Sequence, residues 1–139
     1  MTAITSLDQE LFERAARVLP GITQTYSKAP DQHVPGVYPV YLQRGDGCRV
    51  WDVDGREYID YPCALGPVLL GYRDPDVDAA VRRQLDQGVS FSLGHPLEVE
   101  VAELLVEMIP CAEMVRFVKT GSEATSAAVR LARGFTGRD

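Results

Sequence analysis

The sequence predicts an α/β protein. Its first part is a helix followed by a three-stranded antiparallel meander, and its second part opens a larger mixed α/β layer. Three observations carry that expectation. Apolar residues recur at helical spacing near the start. Three β-rich runs follow, with Gly45-Asp46-Gly47 and Asp54-Gly55 between them. Further on, Met114-Val115-Arg116-Phe117-Val118 leads through Thr120 and Gly121 directly into a helical pattern. The expected division is residues 1–73 for the helix and meander and 74–139 for the beginning of the larger domain.

Leu7, Leu11, Phe12, Ala15 and Val18 share one stripe of a helix over residues 6–18. Ser6 ahead of Asp8 and Glu10 suits a helix start, and Pro20-Gly21 ends it. Residues 21–37 mix proline and glycine without a period and read as a loop. The strands are Val40-Tyr41-Leu42, Arg49-Val50-Trp51-Asp52-Val53 and Glu57-Tyr58-Ile59-Asp60-Tyr61. Asp-Gly between such runs signals a hairpin, because both central positions of a tight turn need positive φ. A sheet this small needs a partner layer.

Residues 62–75 form a loop rich in glycine and proline. Asp74 then caps a helix that holds Pro75 in its first turn and runs to about Gln87. Pro96 starts another, with Leu97, Val101, Leu104, Leu105 and Met108 on its apolar face, and Ile109-Pro110 stops it. Residues 114–118 read as a short buried strand, and residues 124–133 as the helix after it. A single strand has no neighbour for its N–H and C=O groups. The sequence therefore reads as cut inside an α/β domain.

Composition narrows the function classes. Fourteen Lys and Arg against twenty Asp and Glu give a net charge of −6, the wrong sign for a nucleic-acid surface. No apolar run approaches the roughly 20 residues of a membrane span, and the start lacks the apolar stretch of a signal peptide. Cys48, Cys63 and Cys111 lack paired spacing and read as reduced thiols. The expectation is a cytoplasmic protein with no membrane or nucleic-acid partner. His33 and His95 stand far apart without cysteine or carboxylate spacing, so no metal site is expected. Asp54 reads as a turn residue, and Asp52 and Asp60 as solvated or salt-bridged carboxylates on the sheet. Cys63 reads as a small loop residue, since a nucleophile would need a nearby base.

The stretch Phe117-Val118-Lys119-Thr120-Gly121-Ser122-Glu123-Ala124 carries the chemistry. The first N–H groups of a helix lack internal partners, and the helix dipole adds partial positive charge there, so such a turn accepts phosphate. Gly121 allows close backbone approach, and Ser122 adds a hydroxyl. Thr120-x-x-Glu123 is also a capping box, a purely structural device. Local physics leaves both readings open.

FVKTGSEATSAAVRLARGFTGRD resembles the cofactor-phosphate turn of class III pyridoxal-phosphate-dependent aminotransferases, in particular the glutamate-1-semialdehyde 2,1-aminomutase branch. LFERAARVLPG, VWDVDGREYIDYPCALGPVLLGYRDPDV and GVSFSLGHPLEVEVAELLVEMIP resemble further segments of that branch in the same order. The resemblance implies the N-terminal part of a fold type I transferase. It implies pyridoxal 5'-phosphate as cofactor, with its phosphate at Gly121 and Ser122 and Thr120 flanking. It also implies a small-molecule amino donor and acceptor, and a homodimer in the complete enzyme. Thr25 and Lys28 fall where the aminomutase branch has a serine and an arginine near the substrate carboxylate. Leu65 replaces that branch's active-site tryptophan. Lysine keeps arginine's charge but not its bidentate fork. These departures turn the reading from the aminomutase toward an aminotransferase acting through pyridoxamine phosphate. The aminomutase and a non-catalytic truncated form stand as alternatives. The Schiff-base lysine of the family lies beyond residue 139, so the resemblance assigns no catalytic residue here and implies that the 139 residues alone are inactive. Lys28 and Lys119 are the two lysines present, and neither matches it.

Overall fold

The computed structural model describes residues 6–34 and 36–138. The chain divides into two compact units, residues 1–87 and 88–139.

In the first unit, α1 spans Leu7–Ala15. The predicted helix ran to residue 18. Instead its end tightens, with Arg17 N–H donating to Arg14 O (3.2 Å) and Val18 N–H to Ala15 O (3.0 Å), the short i→i+3 bonds usual at helix termini. Ser6 Oγ accepts the Gln9 N–H at 3.2 Å. Leu7 N–H donates to Asp54 Oδ1 at 2.8 Å, and Asp8 Oδ1 accepts the N–H groups of Val40 (3.1 Å) and Tyr41 (3.0 Å). Two carboxylates thus fasten the helix start to the meander, and Asp8 also lies in the first turn, where the dipole favours negative charge.

The meander forms as predicted, in the order β1-β2-β3, all antiparallel. Its strands are β1 Leu42–Asp46, β2 Arg49–Asp52 and β3 Glu57–Ile59. Gly45 and Asp46, expected in the turn, belong to β1. The turn is Gly47-Cys48, because Asp46 pairs with Arg49. The expectation of positive φ at both central positions fails at both turns. Only Gly47 (+53°) and Gly55 (+87°) are left-handed there. After β2, Gly55 N–H donates to Asp52 O (3.1 Å) and Asp52 N–H to Arg56 O (3.0 Å). This is the longer hairpin loop that ends in a left-handed glycine.

Cross-strand pairs complete the sheet. The Arg44 guanidinium lies 3.6 Å from the centroid of its partner Trp51, and Arg49 pairs with Glu57. Gly47 and Tyr72 exchange backbone hydrogen bonds of 2.9 and 2.8 Å, which brings the Tyr72 ring over Gly45. A Cβ at Gly45 would lie 2.4 Å from Tyr72 Cγ, so only glycine fits.

Both expected loops contain short turns. Residues 21–37 contain short 3-10 turns at Tyr26–Lys28 and Pro30–Gln32. Within residues 62–75, Cys63–Leu65 is a 3-10 turn in which Cys63, Ala64 and Leu65 are all left-handed (φ 49°, 52° and 69°). Side-chain-bearing residues adopt that conformation at a cost of about 1–2 kcal/mol each, so the turn is strained. The helix α2, Pro75–Gln87, has the predicted bounds, and Asp74 Oδ1 accepts the N–H groups of Asp76 and Val77, both at 3.1 Å.

In the second unit, α3 is Pro96–Met108, also as predicted. His95 Nδ1 accepts the Leu97 N–H (3.2 Å), and Glu98 Oε1 accepts the His95 N–H (3.1 Å). The helix α4, Gly121–Thr136, begins and ends three residues beyond the predicted bounds, and left-handed Gly137 closes it. The predicted buried strand at 114–118 does not form. That segment has no ladder partner among the described residues, and Met114 is 90% exposed. A strand exists only through its neighbour's hydrogen bonds. The buried apolar residues among those described are Ala15, Ala29 and Val50, whereas Leu131 and Phe135 on α4 are exposed.

Candidate cofactor-phosphate site

At the start of α4 a capping box and the first helix amides share one short stretch. Thr120 is extended (φ −133°, ψ 155°). Its Oγ1 accepts the Glu123 N–H at 3.2 Å, and Glu123 Oε2 accepts the N–H groups of Lys119 (2.8 Å) and Thr120 (3.0 Å). The capping box is therefore complete. Ala124 N–H is the next to be used, donating to Thr120 O at 3.1 Å. Between them, the N–H groups of Gly121 and Ser122 and the Ser122 hydroxyl have no hydrogen-bond partner among the described residues. A Cβ built on Gly121 would meet no atom within 4 Å, so the approach to these donors is open.

This geometry fits a phosphate. Among the described residues, two backbone N–H groups and a hydroxyl are without partners at the positive end of a 16-residue helix. The Glu123 carboxylate is an unfavourable charge beside this turn. Its Oε2 is turned toward the amides of Lys119 and Thr120, which take up that charge locally.

Thr25 and Lys28 lie at the two ends of one 3-10 turn, where Lys28 N–H donates to Thr25 O at 2.9 Å. Both side chains are exposed, and Thr25 makes no side-chain cap bond. These two residues belong to the first unit, and Thr120, Gly121 and Ser122 to the second. Leu65 sits in the strained turn and is exposed. Lys119 is also exposed, with only its backbone engaged.

Two groups in the first unit have roles that the sequence reading missed. Asp52, expected on a solvated surface, is 1% exposed. Its Oδ1 accepts the N–H groups of Asp54 (3.0 Å) and Arg56 (2.8 Å), and its Oδ2 accepts the Tyr58 hydroxyl (2.8 Å). Burial pushes its pKa upward, but these three hydrogen bonds and the Arg56 charge outweigh burial and hold it below the ordinary value. Strand alternation was the available signal, since Asp52 shares a face with buried Val50. The second group is Asp60, whose Oδ2 accepts the Tyr72 hydroxyl (2.6 Å) and the Ala64 N–H (3.2 Å). Desolvation first, then the hydrogen bond and charge of Asp60, push the Tyr72 phenol up to about 12. No local spacing foretold that pair.

The model of the family described as aminotransferase class-III matches residues 31–138. The chain belongs to the class III aminotransferase family. A glutamate-1-semialdehyde 2,1-aminomutase from Exiguobacterium sp. is 44% identical over 138 residues, 99% of this chain and 31% of that protein. A 3-aminobutyryl-CoA aminotransferase from Cloacimonas acidaminovorans is 46% identical over 129 residues, 92% of this chain and 31% of that protein. Among solved structures, the FumI protein of Sphingopyxis sp., in its PLP internal aldimine form, superposes with a TM-score of 0.87 at 40% identity, covering 94% of this chain and 31% of that one. The chain thus spans about three tenths of the length of these relatives. Members of the family bind PLP. The resemblance read from the sequence is correct at the level of the family and of its N-terminal fold.

Proposed function

We propose that this chain is the N-terminal portion of a pyridoxal-phosphate-dependent aminotransferase, and that Thr120, Gly121 and Ser122 hold the cofactor's phosphate. The observation that carries this reading is that, among the described residues, the N–H groups of Gly121 and Ser122 and the Ser122 hydroxyl have no hydrogen-bond partner. When bound, pyridoxal phosphate supplies the electron sink that lets an amino group be taken up and passed on. The residues here bind and orient. The amides of Gly121 and Ser122 would donate to phosphate oxygens and the Ser122 hydroxyl would add a third bond, while the capping box holds the helix start that carries the amides. Lys28 offers an ammonium to a substrate carboxylate, with Thr25 beside it. A homodimer and a small amino donor and acceptor complete the reading. The exposed apolar residues of α4 and residues 114–118 support a larger enzyme, because faces of that kind mark surfaces that further protein covers.

The test is an absorbance titration of pyridoxal phosphate into the full polypeptide that carries these residues. Ser122→Ala should weaken binding by about 1.5–3 kcal/mol, the range for losing a hydrogen bond to a charged group. Ser126→Ala, one turn further along α4, should leave affinity unchanged. Equal affinity for wild type and Ser122→Ala would leave the turn as a helix cap only. The second reading, an aminomutase, is favoured by the 44% identity to the Exiguobacterium protein. It requires turnover of glutamate 1-semialdehyde with no separate amino acceptor.

A further inference from the structure

The segment between β3 and α2 contains a loop, residues 61–71, whose two ends are fastened to the same place. Asp60 N–H donates to Cys48 O at 2.9 Å, and Tyr72 exchanges backbone hydrogen bonds of 2.9 and 2.8 Å with Gly47. The β1–β2 turn therefore holds the stem of this loop closed. Gly71 passes so near that turn that a Cβ on it would lie 3.1 Å from Gly47 O.

Inside the closed loop stands the run Cys63-Ala64-Leu65, with φ of 49°, 52° and 69°. None of the three is glycine, asparagine or aspartate, the residues that adopt positive φ most readily. Such a run persists only where its surroundings over-determine it. Its backbone bonds are Leu65 N–H to Pro62 O (2.9 Å), Gly66 N–H to Cys63 O (3.0 Å) and Val68 N–H to Cys63 O (3.3 Å). The stem reaches the middle of the run through one carboxylate oxygen. Asp60 Oδ2 accepts the Ala64 N–H at 3.2 Å and the Tyr72 hydroxyl at 2.6 Å. The Cys63 thiol donates to the carbonyls of Tyr61 (3.5 Å) and Asp60 (3.7 Å). Two features give the run somewhere to go. Gly66 (φ +110°) and Gly71 (φ +90°) bracket residues 67–70, and glycine absorbs large changes of φ and ψ. Leu65, Leu69 and Leu70 are exposed, so moving them breaks little packing.

We propose that residues 63–65 form a two-state turn, strained and left-handed while the Asp60 carboxylate latches Ala64 and relaxed once that latch is lost. In the relaxed state the three residues return to negative φ, the Cys63 thiol leaves its carbonyl partners, and residues 66–71 re-aim about their glycines. The Tyr72 hydroxyl sets the latch by fixing where Oδ2 points. The device lies within the first unit and does not rest on the phosphate turn.

The test is amide-resolved hydrogen exchange on the full polypeptide that carries these residues. Asp60→Ala should speed exchange at Ala64, Leu65, Gly66 and Val68 together, by roughly 10- to 150-fold, the loss of a hydrogen bond to a charged group. Leu65, Gly66 and Val68 donate to backbone carbonyls rather than to Asp60 Oδ2, so they report the turn itself. Cys63 should react faster with iodoacetamide in this variant, with Cys111 unchanged. Adding Ala64→Gly to Asp60→Ala should bring back protection at Leu65, Gly66 and Val68, because glycine takes positive φ without the steric cost. Ala64→Gly alone should slow exchange at those three amides, the reverse of what glycine does in ordinary backbone. Tyr72→Phe, which keeps the ring over Gly45, should give a smaller rise at the same amides. The two single variants at Ala64 and Tyr72 decide the matter even if Asp60→Ala fails to fold. Faster exchange at Ala64 alone, no recovery on adding Ala64→Gly, or faster exchange in Ala64→Gly by itself would overturn the proposal.

Discussion

Replacing Asp52 tests the physical account of the meander most directly. The side chain is 1% exposed, and its carboxylate accepts three hydrogen bonds of 2.8–3.0 Å. A hydrogen bond to a charged group contributes about 1.5–3 kcal/mol, but Asp54 and Arg56 are exposed, so water takes over their freed amides. Asp52→Ala should therefore cost about 2–3 kcal/mol of local stability, less than the sum of three full bonds. Hydrogen exchange at the Asp54 and Arg56 amides should speed up roughly 30- to 150-fold, at about 1.4 kcal/mol per factor of ten. Asp52→Asn keeps one acceptor for those amides and should cost about half as much. Acid should act in the same direction. The folded pKa lies below the ordinary 3.8, so the carboxylate's contribution is fully present above that value and is lost as pH falls through the folded pKa. Protection of the two amides should hold from pH 7 down to about 5 and decline below about 4 in wild type, with no such step in Asp52→Asn. Unchanged exchange in Asp52→Ala, or an identical acid profile in Asp52→Asn, would refute the view that this carboxylate organises the hairpin.

The Tyr72 phenol should titrate near 12 rather than near 10, measured by ultraviolet difference absorbance at the phenolate band. Because its folded pKa is raised, its contribution to stability is complete below about 10 and disappears as pH rises toward 12. Tyr72→Phe should remove that alkaline step. Gly45→Ala should force the Tyr72 ring away from a Cβ that would sit 2.4 Å from it, at about 1–3 kcal/mol, read as a lower urea midpoint by Trp51 fluorescence. Residues 1–139 expressed alone and supplied with pyridoxal phosphate should show no amino-group turnover. Borohydride trapping followed by peptide mapping should find no single labelled lysine at Lys28 or Lys119, and a unique label with turnover would overturn the assignment of the family's lysine to positions beyond this segment.

The sequence by itself determined the elements whose signals are local. The bounds of α2 and α3 follow from Asp74-Pro75 and His95-Pro96, where a cap and a fixed φ act within one turn of chain. The meander's order follows from short runs joined by glycine turns, and the capping box at Thr120 and Glu123 is legible as four consecutive letters. Tertiary structure decided what depends on distant partners. Gly45 and Gly55 occupy special positions for different reasons, one because a ring twenty-seven residues away needs its space and one because a turn needs its φ. Asp54 serves a turn and also accepts the first amide of α1, forty-seven residues before it. Asp60 holds the strained turn and Tyr72 together, and that turn brings Cys63 to the same cleft as Cys48. Residues 114–118 show the limit most plainly. Their composition is that of a strand, but a strand is a hydrogen-bonded relation between two segments, and among the described residues the second segment is not there.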